Sequence, residues 1–212
     1  MRARRTGQRG SQLLEMVVTV SLLSIVLVAL YGGIDSTTNG LVGAGTRLQN
    51  LDEARVLMAQ TSKDMRTATR LGAGTSPFIF ASDNEATFYA NLETTTAPKK
   101  VHLYVDPTSE LVEQVWNADA GSVAPNYTYT GTPFVRFVGR YVVLSHGTPL
   151  FTYLDVNGNV LSHTPLSASD LLAVRAVRIT LVVKKSTAFV MAPVTLVNRV
   201  RLPNLDYAAA NA

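Results

Sequence analysis

The sequence predicts an α+β protein: a long N-terminal helix, half membrane-spanning and half amphipathic, packed on an antiparallel β-sheet head. Three observations lead there. Residues 13–30 carry a single charged side chain, Glu15, in an otherwise apolar and hydroxyl-bearing run. Further on, Leu51, Ala54, Met58, Thr61, Met65 and Ala68 recur at spacings of three and four, the signature of one apolar helical face. Beyond residue 78 the apolar period drops to two, as in half-buried antiparallel strands.

The first element is the apolar run. As a helix, residues 13–30 extend about 27 Å at roughly 1.5 Å per residue, close to a hydrocarbon core about 30 Å thick. Glu15 is the exception inside it. A carboxylate at the centre of a membrane helix costs roughly 2.5–3.5 kcal/mol, so it is normally near an end or paired. Two residues inside the run, Glu15 can reach the headgroups. It can equally serve as the counter-ion of an amine from another chain.

The residues around Glu15 carry a resemblance. Gly10-Ser11-Gln12-Leu13-Leu14-Glu15, preceded by a basic leader, resembles the cleavage and methylation motif of type IV pilin-like proteins. The resemblance implies that a prepilin peptidase cuts between Gly10 and Ser11 and methylates the new amino terminus on Ser11. It also implies that Glu15, then the fifth residue, pairs with the terminal amine of a neighbouring subunit. The family usually has an aromatic first residue and a Thr-Leu-Ile-Glu-like approach, where this chain has Ser11 and Gln12-Leu13-Leu14-Glu15.

Charge agrees with a membrane orientation. The formal net charge is +4, from 19 basic and 15 acidic residues. Arg2, Arg4, Arg5 and Arg9 all lie in the leader, and removing those four leaves 15 basic against 15 acidic residues. Basic residues beside an apolar helix stay cytoplasmic, which sends the rest of the chain across the membrane. The remaining neutral balance gives no support for a nucleic-acid surface. With no cysteine, disulfides, thiolate catalysis and cysteine metal sites are excluded. A secretory signal peptide is the rival reading of the N-terminus. Its apolar region should span about 7–15 residues and end at a small-x-small site. This run is longer, holds Glu15 near its start, and reaches Leu30-Tyr31 without such a site.

Gly32, Gly33, Gly40, Gly43 and Gly45 follow. Glycine in a helix interior costs up to about 1 kcal/mol relative to alanine, so residues 32–46 read as a softened, kinked or locally melted joint, or as a flexible linker. The amphipathic helix after them should stop near Leu71-Gly72-Ala73-Gly74, with Pro77 beyond. Its apolar stripe is expected to pack on a sheet as core. The resulting organisation is a leader over 1–10, a transmembrane and assembly helix over 11–31, a joint over 32–46 and an extracytoplasmic head over 47–212.

In the head, alternation places strands near 78–81, 85–91, 100–105, 111–116, 134–138, 140–145, 150–154, 174–184 and 194–202. Asp106-Pro107-Thr108-Ser109 and Asn157-Gly158 are turn signals between strands. Residues 117–133 are polar and small, and read as a long loop. Ser167-Ala168-Ser169-Asp170-Leu171-Leu172 reads as a capped helical turn. The last third, from Phe151 through Val174 and Ile179 to Leu196 and Val200, is similar to the ends of large minor pilins. These include the J-type minor pseudopilins of type II secretion and the W-type minor pilins of type IV pili.

Catalytic constellations are missing from the pattern. His102, His146 and His163 lack the spacing of a metal triad. Adjacent Ser145 and His146 in a strand would face opposite sides, the wrong arrangement for a nucleophile and its base. No phosphate loop or dinucleotide fingerprint is present. Asp155-Val156-Asn157-Gly158-Asn159 starts like a calcium loop. Its glycine falls two places early, however, and Leu166 stands where the distal glutamate belongs, so a hairpin turn is the better reading. The expectation is a protein with no catalytic, cofactor or metal site. By resemblance, it is a structural subunit that acts near a filament tip in initiation or assembly. Its partners would be the prepilin peptidase, other major and minor pilins and the cytoplasmic (inner) membrane. The alternative is a single-pass, membrane-anchored extracytoplasmic binding protein.

Overall fold

The computed structural model describes residues 8–92, 97–144, 147–185 and 192–205. Two compact units divide the chain, Met1–Thr46 and Arg47–Ala212. One helix, α1 (Gln8–Arg66), supplies all the described structure of the first unit and the first element of the second.

In the first unit, α1 is long and apolar enough to cross a membrane, and no part of its most apolar window is buried by the protein's own fold. The glycine-rich segment 32–46 is α-helical throughout, so of the forms expected for this joint the melted helix and the flexible linker do not occur. Helix propagation is cooperative, so a few glycines between long stretches of good helix formers do not open the ladder. Local bonds add to it: Asn39 Nδ2 donates to Asp35 Oδ2 at 3.2 Å, one turn away.

In the second unit, α1 presents Ala54, Leu57, Met58, Thr61 and Met65 as a buried stripe. The helix ends at Arg66, six residues before Gly72 of the expected glycine cap. The chain stops coiling there because its backbone finds a sheet partner. The Thr69 amide donates to the Tyr89 carbonyl at 2.8 Å, the Asn91 amide donates to the Thr67 carbonyl at 2.9 Å, and Ala68 bridges Ala90. The Thr67 hydroxyl also donates to the Asp64 carbonyl at 2.7 Å, satisfying one acceptor at the helix end.

Five strands follow as an antiparallel meander: β1 (Phe78–Ala81), β2 (Glu85–Ala90), β3 (Lys99–Val105), β4 (Leu111–Trp116) and β5 (Phe134–Gly139), hydrogen-bonded in that order. A second antiparallel sheet contains β6 (Phe151–Leu154), β7 (Ala176–Val183) and β8 (Val194–Arg201). The short helix α2 (Ala168–Ala173) precedes β7, and the Ser167 hydroxyl caps it by accepting the Asp170 amide at 3.2 Å. Within the described part of the expected strand at 140–145, a single bridge forms, Val142 to Val183. The Val142 amide there donates across to the Ser109 carbonyl, so the segment ties two sheets rather than lying in one.

The two turn signals are turns. Asp106 Oδ1 accepts the Thr108 and Glu110 amides between β3 and β4. After β6, Asp155 Oδ1 accepts the Asn157 and Asn159 amides, both at 2.8 Å, with Gly158 at φ +86°. That left-handed conformation suits glycine.

One core joins the α1 stripe to the inner faces of both sheets. Leu57, Met65, Phe88, Leu103, Leu111, Phe151, Tyr153, Ile179 and Leu181 are fully buried in it. Phe78 meets Tyr153 edge-on at 5.6 Å. Polar bonds fix the helix on this core: Asn198 Nδ2 donates to the Ser62 hydroxyl at 2.8 Å, and the Lys185 amide donates to Asn50 Oδ1 at 3.1 Å. Gly139 permits the close approach of β5 to α1. A Cβ at this position would lie 2.7 Å from both Glu53 Oε1 and Leu57 Cδ2.

Candidate functional site

Two places in the protein hold functional candidates, one in each unit. In the first unit, Gly10 and Ser11 belong to the helical backbone of α1, and Glu15 is exposed on its surface. Exposed Leu13, Leu14, Met16 and Val17 surround Glu15 in sequence. Hydroxyls in this helix are turned back on their own backbone. Ser21 donates to the Val17 carbonyl at 2.7 Å, Ser24 to Val20 at 2.8 Å, and Thr19 bonds the Glu15 carbonyl. Such i−4 bonds leave no hydroxyl proton needing water, which suits a helix in lipid or in a dry helical array. Glu15 is the one carboxylate in the run that lacks this solution. Gly32, Gly33, Gly40 and Gly45 have open space where a Cβ would stand, so packing within the chain does not require them.

In the second unit, a buried acid pair lies between α1 and the first sheet. Asp64 and Glu113 are 2% and 1% exposed. Arg136 on β5 serves both: its Nε donates to Glu113 Oε2 at 2.6 Å, its Nη2 also bonds that oxygen, and Nη2 lies 3.7 Å from Asp64 Oδ2. Gln60 Nε2 donates to both oxygens of Asp64, at 2.8 and 3.0 Å. Burial raises the Asp64 carboxyl from 3.8 to about 7, and the Glu113 charge pushes the same way. The Gln60 bond and the Arg136 and Lys63 charges oppose the rise without cancelling it. One guanidinium therefore faces two buried acids, and one proton compensates the other acid below neutrality. The pair borders a cavity of about 470 Å³ that also meets Lys63, Lys99 and Phe134.

Sequence reasoning missed this pair, yet half of it was visible. Glu113 occupies the inward parity of β4, between Leu111 and Val115. A charge at an inward position signals a buried partner. Asp64 gave a weaker signal, one residue from Met65 on the helical stripe.

The two described histidines have separate partners. His102 lies on β3, with Nε2 2.7 Å from Glu85 Oε1 and Nδ1 3.3 Å from Gln114 Oε1, stacked on Tyr104. His163 contacts Ser162 in an exposed segment. Ser145 and His146 lie outside the described residues. Among the described residues no three histidine, aspartate or glutamate side chains group to hold a metal. The Asp155 carboxylate is occupied by its turn, with Asn159 Nδ2 donating to Oδ2 at 3.1 Å.

Fold and sites together define an α+β protein whose N-terminal helix can cross a membrane as a single pass. No protein-family model matches the chain, and no curated protein matches it significantly.

Proposed function

We propose that the protein is a minor pilin or pseudopilin, a structural subunit of a type IV pilus-like or type II secretion filament, acting near the tip in filament initiation. The observation that carries this reading is register. Gly10 stands five residues before Glu15 at the start of the apolar half of α1. A plain anchor has no need of a carboxylate there, where it would do no more than reach back to the headgroups. In the assembled state the Ser11 amine of a neighbour would neutralise Glu15, and low dielectric would strengthen the attraction. The bare glycines at 32, 33, 40 and 45 fit the same role, since small residues let helix backbones approach closely. The head would stand on the extracytoplasmic side of the inner membrane before assembly and on the filament afterwards.

Mass spectrometry of the protein, taken from membranes containing the prepilin peptidase, tests processing. The expected chain begins at Ser11 with a methylated amine, and an intact Met1 terminus would refute the pilin reading. Glu15→Leu then separates assembly from anchoring. The substitution only makes the helix more apolar, so insertion and cleavage should continue while co-purification with partner pilins falls. Undiminished co-purification would instead support the anchored binding protein.

A further inference from the structure

We propose that the free edge of β5 is a strand-addition site that accepts an extended, uncharged, apolar segment of another polypeptide. An open strand edge is a row of unpaired amides and carbonyls, and proteins normally blunt it with charge, proline, bulges, brevity or a cover. The other edges of the head are blunted. β1 has four residues and a register break between Phe78 and Phe80. The α2 region also covers it, with the Ser76 hydroxyl donating to the Leu171 carbonyl and the Leu166 amide to the Ala81 carbonyl. β6 is covered by the Leu154–Val160 bridge and by the Leu161 amide donating to the Tyr153 carbonyl. β8 exposes Arg199 and Arg201.

Among the described residues, β5 has none of these devices along residues 134–137. Beyond β4, no described backbone group pairs with that stretch. Its register break lies at its far end, between Phe137 and Gly139. Phe134, Val135 and Phe137 are exposed at 69%, 46% and 61%. The one charge on the strand, Arg136, is turned inward onto Glu113 and Asp64, so it no longer guards the edge. The edge is electrically satisfied and apolar, and its complement is therefore uncharged and apolar. Phe134 and Arg136 share the helix-side face and line the 470 Å³ cavity. Alternate side chains of an added strand would project over its mouth, which gives strand addition its usual means of selectivity.

A second copy of the chain fits this edge poorly. Two-fold antiparallel pairing sets each residue opposite one from the same face. The register that matches Phe134 with Val138 and Val135 with Phe137 also opposes the two Arg136 residues, and like charges directly opposite destabilise a ladder. Slipping one way draws Pro133 into the ladder, and slipping the other sets Val135 against Gly139. A different polypeptide escapes all three faults.

The test uses the full chain in detergent micelles and a blocked, dye-labelled peptide of sequence Thr-Leu-Val-Gln-Gln-Val-Trp-Thr, an uncharged version of the β4 pattern. Fluorescence anisotropy should show saturable binding, and amide exchange at residues 134–138 should slow on peptide addition. Val135→Lys restores a guard charge at an exposed position and should weaken binding at least tenfold, whereas Phe80→Lys on β1 should leave it unchanged. The same peptide N-methylated at every amide from Leu to Trp, which blocks both of its edges, should not bind, a comparison that stands even if Val135→Lys fails to fold. Failure of the peptide to saturate, protection elsewhere, or equal binding by Val135→Lys or by the N-methylated peptide would overturn the proposal. Concentration-dependent protection of 134–138 without peptide would also overturn it, by showing that a second copy holds the edge.

Discussion

Asp64→Asn should stabilise the head at pH 8 and leave it almost unchanged at pH 4. The Asp64 carboxyl is raised from 3.8 to about 7. Between those values the native state holds a proton that the unfolded chain has released. Unfolding free energy therefore falls as pH rises from about 4 to about 7, and levels off above. A difference of about three pH units at 1.36 kcal/mol each sets an upper bound of roughly 4 kcal/mol. The asparagine variant forgoes the attraction of ionised Asp64 to Arg136 and Lys63, so a gain of about 1–3 kcal/mol at pH 8 is expected. The bond from Gln60 survives, because an amide oxygen accepts as a carboxylate does. The other charges facing this position are Glu113 on β4 and Lys99 on β3, which borders the same cavity. Trp116 is the single tryptophan and lies on β4 near Glu113. Its fluorescence during urea denaturation of the full chain in micelles, at pH 4, 6 and 8, reports the unfolding. A variant less stable than the parent at pH 8, or a difference that does not change with pH, would refute the reasoning.

Two further substitutions, with Gly74→Ala as a control away from the helix, test the packing of α1 by the same urea assay. Gly139→Ala drives a methyl against Glu53 Oε1 and Leu57 Cδ2 at 2.7 Å and should destabilise the head by about 1–3 kcal/mol, while Gly74→Ala, at φ +73° with open space around it, should cost only its backbone strain of about 1–2 kcal/mol. Met58→Asp places an unpaired carboxylate in the core stripe and should cost several kcal/mol. An unchanged midpoint would mean the stripe does not face the sheets.

The α+β class and most strands were legible because each rests on one strong periodicity. β4 falls on 111–116 as expected, and β1 on 78–81. Alternation of Val177, Ile179, Leu181 and Val183 became the buried face of β7. Failures arose where a tertiary partner overrode a local signal. The glycines at 72 and 74 offered a helix cap, but the backbone of Thr67 and Thr69 found β2 first. Residues 141–143 alternate like a strand, yet their hydrogen bonds go to Val182 and Lys184 at the end of β7 and to Ser109, so they form a bridge rather than a strand. The acid pair was hidden for a related reason. Asp64, Glu113 and Arg136 are 23 to 72 residues apart in sequence, and no local pattern says which charges will meet. Leu57 was likewise omitted from the helical stripe although it is fully buried. A helix that shares its core with two sheets buries a wider arc than one lying on a single sheet.

The acid pair and the bare edge of β5 have one cause. Two carboxylates between α1 and β4 demand a cation, because leaving a buried charge unpaired costs more than most single contacts return. The nearest strand able to supply it without disturbing the core is β5, whose Arg136 is directly opposite Glu113 in the ladder. Arg136 reaches inward to Glu113 and Asp64 and keeps 42% of its side chain exposed. That inward turn stabilises the helix against the first sheet. It also removes the only charge by which β5 could repel another strand, leaving Phe134, Val135 and Phe137 to set the chemistry of the edge. Accessibility at β5 is thus a consequence of how α1 is held, and any substitution that frees Arg136 from Glu113 acts on both at once.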